Sequence, residues 1–197
     1  MRYLFIILAA LMLLPSCSQQ KESQPAPVAE EKSEFELLKE RTTSNPKDED
    51  AWFRLADLYE SANMYQEEIE ARKKVAALTP DMGYNFVKLG TAYNRLGKYN
   101  DAISTFNEAK KHIPDNPVLY NNLGVAYGKV GKLDLEITAL KKAVSLRPSY
   151  SSARYNLGIA YLRKGNRAAA MEQYTLLNNR DAGAAASLKK EIDAQRK

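Results

Sequence analysis

Cysteine and histidine are almost absent from the sequence, which contains one of each in 197 residues. Because Cys17 is the only cysteine, neither a disulfide nor a multi-cysteine metal site can form within one chain. His112 has no second histidine to act with, so zinc sites and Cys/His catalysis are excluded within a monomer. We therefore expect no metal and no other cofactor.

Two further signatures of function are missing. The 9 glycines occur singly and form no glycine-rich loop that could hold a phosphate. The net charge is +5, but the basic residues are mixed with 24 acidic ones and form no single stripe. The sequence therefore predicts no nucleic-acid partner and no small-molecule substrate.

A hydrophobic run long enough to span a membrane is also missing. The longest run, from Tyr3 to Leu14, has 12 residues, whereas a membrane-spanning helix needs about 20. Its length, and Arg2 before it, are typical of a signal peptide, which we assign to residues 1–16.

The end of this run, Leu14-Pro15-Ser16-Cys17, resembles the lipobox of bacterial lipoproteins. The resemblance implies that Cys17 carries acyl chains such as palmitate, becomes the mature N-terminus and anchors the protein to a membrane without crossing it. Ser18 follows, where lipoproteins retained in the inner membrane of enteric-type bacteria usually have aspartate. We therefore expect the protein to be attached to the periplasmic face of the outer membrane, in the bacterial cell envelope.

The composition of residues 17–32 predicts that this segment, which begins at the lipidated cysteine, is a disordered tether. They are rich in glutamine, serine, glutamate and proline and have almost no bulky apolar side chain to bury. A random coil of this length reaches roughly 20 Å, so we expect the folded part to lie near the membrane surface.

From residue 33 onward the sequence repeats with a period of 34 residues. The pattern is clearest from Gly83 to Asn116, where one stripe of apolar residues predicts a first helix and a second stripe predicts another after Gly97. A Leu-Gly-x-x-Tyr motif at Leu89 returns at Leu123 and Leu157. Prolines mark the same period at positions 46, 80, 114 and 148. Two amphipathic helices per repeat predict an all-α solenoid.

These residues, together with Trp52, Leu55, Ala56 and Tyr59 in the first unit, resemble the tetratricopeptide repeat family. The resemblance implies a right-handed superhelical solenoid over residues 33–197. We place four helix-turn-helix units at 49–82, 83–116, 117–150 and 151–184, with capping helices at about 33–44 and 184–196.

Some positions have a predicted structural role. A glycine inside a helix costs about 1 kcal/mol relative to alanine, so Gly90, Gly124 and Gly158 predict close contacts between helices. His112 replaces a leucine of other units and is expected to pack partly buried. Glu68 and Glu136 stand where other units have alanine, and we expect their carboxylates to bend outward to solvent.

The inner wall of the solenoid is the candidate binding site. Helix geometry places on it residues of the first helices that avoid the packing stripe. Its first unit is acidic, and the next three expose more apolar surface than solvation requires. The predicted peptide-binding groove comprises Phe53, Tyr84, Val87, Asn94, Arg95, Val118, Asn121, Asn122, Val125, Lys129, Tyr155, Asn156, Ile159, Leu162 and Arg163.

Two sets within this groove have separate expected roles. Arg95, Lys129 and Arg163 recur every 34 residues and predict a basic row along one edge. Asparagines beside the wall are expected to reach a peptide backbone, as polar residues in this family's grooves commonly do. Phe53 and Asp57 stand where family members that clamp a chaperone's C-terminal carboxylate have lysine and asparagine, so that activity is disfavoured.

The sequence thus predicts a non-catalytic, lipid-anchored adaptor that binds a peptide or protein segment in its groove. A more specific alternative is a lipoprotein of pilus or envelope assembly, and another is a factor that assembles with copies of itself. An enzyme is a further alternative, because Asp50, Asp57 and Glu60 lie close together on the wall and could act as acid and base.

Overall fold

The computed structural model describes residues 32–195, which contain ten α-helices and no strand. The predicted signal peptide, Cys17 and all of the tether except Lys32 lie outside the described residues. The helices are α1 (Glu34–Ser44), α2 (Glu49–Ser61), α3 (Tyr65–Leu78), α4 (Gly83–Arg95), α5 (Tyr99–His112), α6 (Pro117–Lys129), α7 (Leu133–Leu146), α8 (Ser151–Arg163), α9 (Arg167–Asn178) and α10 (Ala182–Ala194). The predicted all-α repeat fold is confirmed.

The helices pack as successive antiparallel pairs. Most contacts join the two helices of a pair, α2 with α3, α4 with α5, α6 with α7 and α8 with α9, or one pair with the next. The turns inside the last three pairs contain Gly97, Gly131 and Gly165 at φ of 73°, 75° and 77°, where a side chain would be strained. Local sequence thus sets the repeated turn, and the turn stacks the first helices side by side.

The mid-helix glycines lie at close contacts, as predicted. A Cβ atom on Gly90 would lie 2.6 Å from the ring of Phe106, and one on Gly124 would lie 2.7 Å from Cγ of Leu140. The same position in α8, Gly158, faces Leu188 of α10 instead of a residue of its own pair. These contacts keep the paired helices at a distance that any side chain would increase.

Two terminal helices cover the ends of the array. On α1, Leu38 is buried and the Phe35 ring meets the Tyr59 ring edge-on at 5.3 Å. The apolar residues of α10 that include Leu188 and Ile192 are fully buried. After its leucine, α10 has Lys189 where α4, α6 and α8 have glycine, so its outer side is polar. No helix among residues 32–195 is both long and apolar enough to span a membrane.

The prediction that Glu68 and Glu136 bend outward is wrong. Glu68 is 1% exposed and its Oε1 accepts a hydrogen bond of 2.7 Å from Nε of Arg72. Glu136 is also buried, and its carboxylate pairs with Arg163 at 2.7 Å. Burial raises the pKa of both carboxyl groups above the ordinary value of 4.5, although the neighbouring guanidinium groups act in the opposite direction.

Candidate functional site: the concave groove

The first helices of the four pairs line two large cavities. The α6–α8 cavity has a volume of about 550 Å³ and contains six of the predicted groove residues. Its lining consists of Val125, Gly128, Lys129, Glu136, Tyr155, Asn156, Ile159, Arg163 and Glu191. The α2–α4 cavity has a volume of about 530 Å³ and is lined by Glu49, Asp50, Phe53, Met82 and Tyr84. The structure therefore brings predicted residues together at two separate places along the wall.

Three predicted groove residues are buried instead of exposed. Val87 is 4% exposed, Leu162 is 5% exposed and Asn121 is 6% exposed. Val87 belongs to a core cluster between α4, α5, α6 and α7, and Val118 packs partly buried against the same cluster. Their expected exposure on the wall is wrong, because each first helix is covered by its neighbours over a wider arc than one stripe.

The asparagines of the wall bond to one another across the helices. Asn94 donates to the carbonyl oxygen of Asn122 at 2.9 Å, and Asn122 donates to Oγ1 of Thr91 at 2.8 Å. Asn156 donates to Oδ1 of Asn121 at 2.9 Å. These amides fix α4, α6 and α8 relative to one another, so much of their hydrogen-bonding capacity is already used. Asn156 also lines the α6–α8 cavity.

The three cations predicted to form a basic row have different surroundings. Arg95 pairs with Glu60 at 3.4 Å and lies over the Tyr65 ring at 5.1 Å. Arg163 is held by Glu136 and also donates to the carbonyl oxygen of Gly128 at 3.2 Å. Within residues 32–195, Lys129 is exposed and forms no ion pair. Two of the three cations of the predicted row are thus ion-paired with carboxylates, and Lys129 is the unpaired one among the described residues.

Glu136 belongs to this site although the sequence-based prediction of the groove omitted it, and it lies beside Gly128 of the inner wall. A Cβ atom on Gly128 would lie 2.5 Å from Oε1 of Glu136, so the missing side chain leaves the space that the carboxylate fills. The sequence does contain a signal, because the glycine and the buried acid occur together in the third unit and in no other. Arg163, 27 residues further along the chain, completes the arrangement.

The acidic residues of the first unit form an ion network. Arg72, which is 0% exposed, donates to Asp57 at 2.8 Å and to Glu60 at 3.0 Å as well as to Glu68. Partial burial disfavours ionisation of Glu60, but a hydrogen bond from Lys88 and the nearby positive charges hold its pKa below 4.5. These carboxylates therefore serve as ion-pair partners that join α2, α3 and α4.

His112 lies outside the groove. Its ring stacks on Phe86 with centroids 5.8 Å apart and planes 9° apart, and Nε2 lies 3.8 Å from Glu108. Among residues 32–195, no group of three or more histidine, cysteine, aspartate or glutamate side chains could hold a metal ion.

Comparisons with known proteins identify the repeat. The sequence matches a family model described as "TPR repeat" at residues 90–131 and 130–165 and another described as "Tetratricopeptide repeat" at residues 49–82 and 151–182. No curated protein matches the sequence.

Several solved structures share the fold at low sequence identity. MamA from Desulfovibrio magneticus RS-1 superimposes with a TM-score of 0.68 at 22% identity, covering 80% of this chain and 84% of that chain. YrrB, described as a TPR protein with an unusual peptide-binding site, superimposes with a TM-score of 0.65 at 20% identity, covering 82% of this chain and 87% of that chain. PilW, described as a widely conserved type IV pilus biogenesis factor, superimposes with a TM-score of 0.64 at 20% identity, covering 80% of each chain.

Proposed function

Because the chain belongs to the tetratricopeptide repeat family, whose helical arrays are scaffolds for protein interactions, we propose that its concave groove binds an extended segment of a partner protein. We further propose that Cys17 anchors this scaffold to the bacterial outer membrane on its periplasmic face. The adaptor itself is non-catalytic in this proposal, and its activity is to hold the partner close to the membrane.

The observation that carries the proposal is the composition of the α6–α8 cavity. Val125, Tyr155 and Ile159 are only partly buried there, in an open concavity of about 550 Å³. Apolar and aromatic side chains in a concave site, with a few polar groups beside them, are the usual composition of a binding site. Asn156 supplies a polar group beside the apolar ones, and Lys129 supplies a charge that forms no ion pair within the described residues.

The anchoring proposal comes from the sequence around Cys17. Each methylene group of an acyl chain contributes about 0.8 kcal/mol of membrane-binding free energy when it is buried in the bilayer, so two or more chains give stable attachment. A tether of roughly 20 Å then keeps the groove within reach of partners embedded in, or attached to, the same membrane.

Site-specific crosslinking in living cells tests the groove. A photoreactive phenylalanine analogue at Ile159 should crosslink to a partner, whereas the same analogue at Thr138, an exposed position on the second helix α7, should not. Equal crosslinking from both positions would contradict groove binding. The identity of the crosslinked protein separates a pilus component, another envelope protein and a second copy of this chain.

A further inference from the structure

The α2–α4 cavity differs in chemistry from the α6–α8 cavity. Its lining includes two aromatic rings, the thioether of Met82 and the two carboxylates Glu49 and Asp50, but no basic side chain. Tyr84 is 51% exposed, which makes it the most exposed large apolar side chain of the described residues. An aromatic surface next to carboxylates fits a group that is both apolar and positively charged.

The two carboxylates are not fully neutralised by the protein. Asp50 accepts from Arg41 at 3.0 Å, but the same guanidinium also binds Asp48. Glu49 forms no ion pair within residues 32–195. Lys88 lies 5.6 Å from the Tyr84 ring centroid, but its ammonium is bound by Glu60 at 2.8 Å. Negative charge therefore remains at the mouth of the cavity.

Charge is also distributed unevenly along the described chain, with an excess of acidic residues in the part that contains this cavity and an excess of basic residues after it. Residues 32–82 contain 12 acidic and 8 basic residues, whereas residues 83–195 contain 9 acidic and 17 basic ones. A cation that approaches the concave surface is therefore attracted to the first unit and repelled from the later ones. The electrostatic field thus favours the same ligand as the local lining.

We propose that the α2–α4 cavity holds a lysine or arginine side chain of the bound segment. This inference rests on the proposed groove function and specifies one feature of the partner. The aliphatic part of the cation contacts Phe53, Tyr84 and Met82, and its charged end meets Glu49 and Asp50. The cavity thereby fixes which end of the segment lies at the first unit, because the excess of basic residues over 83–195 repels a cation from the later units.

Small probes test the cavity without knowledge of the partner. The full-length chain is purified in detergent with ¹³C-methyl-labelled methionine, and N-acetyl-lysine methylamide is titrated against it. The Met82 methyl signal should shift and saturate, while the signals of Met64 and Met171, which are exposed on other surfaces, should not move. N-acetyl-norleucine methylamide has the same apolar chain without the charge and should bind about tenfold more weakly.

Variants assign the charge selectivity to the two carboxylates. The double variant Glu49→Gln/Asp50→Asn should bind the lysine probe only as weakly as the norleucine probe. The control double variant Glu67→Gln/Glu70→Gln, on the exposed side of α3, should bind the lysine probe with unchanged affinity. A thermal melt confirms that each variant is folded. Equal affinity for both probes, no loss in the Glu49/Asp50 variant, or shifts at all three methyl groups would overturn the proposal. Crosslinking from Ile159 is independent of these titrations, so its failure would count against groove binding alone.

Discussion

Arg72 and Glu68 form an ion pair with 2.7 Å between Nε and Oε1, and both side chains are almost wholly excluded from solvent. The equivalent of Arg72 in the second and third units is Phe106 or Leu140, so the first unit has a guanidinium where the others have an apolar core residue. The second carboxylate oxygen of Glu68 and Nη1 of Arg72 make no hydrogen bond within the described residues. Stability therefore depends on keeping the two partners together.

Removal of Arg72 alone should be strongly destabilising. Arg72→Leu leaves Glu68 buried without its partner, which typically costs about 3 to 5 kcal/mol of unfolding free energy. Glu68→Ala combined with Arg72→Leu gives the first unit an apolar pair at these two places, as Ala102 and Phe106 are in the second unit, and should lie within about 1 kcal/mol of wild type. Urea denaturation measures both, with Lys73→Leu as an exposed control on the same helix. A double variant as unstable as Arg72→Leu would show that the network stabilises the unit through Asp57 and Glu60 instead.

The raised pKa of Glu136 predicts a pH-dependent difference between wild type and Glu136→Gln. Because burial raises the folded-state pKa above its ordinary value of 4.5, ionisation opposes folding, and wild type loses stability as pH rises through the interval between the two values. Glutamine does not ionise, so the variant should gain stability relative to wild type from pH 4.5 upward. Denaturation curves at several pH values between 4 and 8 measure the difference, with exposed Glu172→Gln as the control. A relative stability of Glu136→Gln that falls with pH would contradict the assignment.

Gly124→Leu should disrupt the third unit. A Cβ atom there would already lie 2.7 Å from Leu140, so the larger side chain has to push α6 and α7 apart, at a cost of about 1 to 3 kcal/mol or more. Gly183→Ala is the matched control, since its added Cβ atom would lie 3.6 Å from Asp181, an ordinary contact distance. Thermal melts of the two variants should differ, and superimposable melts would show that the contact is not tight.

Lys129 and Arg163 should respond differently to charge reversal. Lys129 is exposed and unpaired within residues 32–195, so Lys129→Glu should change stability by less than about 0.5 kcal/mol and should slow association with an acidic partner, less so at high salt. Arg163→Glu places a second carboxylate beside buried Glu136 and should cost about 2 kcal/mol. Denaturation and stopped-flow association curves separate the two effects. Equal stability losses would mean that Lys129 has a structural partner.

Lipidation of Cys17 should determine localisation. Wild type is expected in the outer-membrane fraction, and Cys17→Ala, which lacks the acceptor thiol, should leave it. Ser18→Asp keeps the lipid but introduces the usual retention signal, so in an enteric-type host it should accumulate in the inner membrane. Density-gradient fractionation distinguishes these outcomes. Retention of Cys17→Ala in the outer-membrane fraction would show that another part of the chain provides attachment.

The periodic positions of the sequence were enough to predict the helices. Leu-Gly-x-x-Tyr motifs and prolines 34 residues apart indicate where each pair begins, because they report local turn geometry and close helix contact. The buried ion pairs were not predicted, since Glu136 and Arg163 are 27 residues apart and only packing of α7 against α8 brings them together. Arg72 could have been recognised, because it follows Glu68 by one helical turn and replaces a core residue.

Groove residues were harder to predict than helices. The prediction assigned one buried stripe to each helix, but α4 contacts three neighbouring helices and α8 contacts four, which buries Val87 and Leu162 as well. The position of α10 was also beyond this prediction. Leu188 contacts Gly158, and Glu191 lines the α6–α8 cavity. α10 begins at Ala182, three residues earlier than a 34-residue period after Ser151 would place it, and periodicity alone does not specify that shift.

Lys189 constrains how this protein can grow by gene duplication. A helix added after α10 would have to pack against a lysine at the position where α4 and α6 have a glycine against the second helix of their pair, and the side chain would hold the two helices apart. A 34-residue unit inserted before α8 would bring its own glycine contact within the new pair and would leave the contact of Gly158 with Leu188 of α10 unchanged. Additional repeats should therefore be accommodated more easily in the middle of the array than directly after α10.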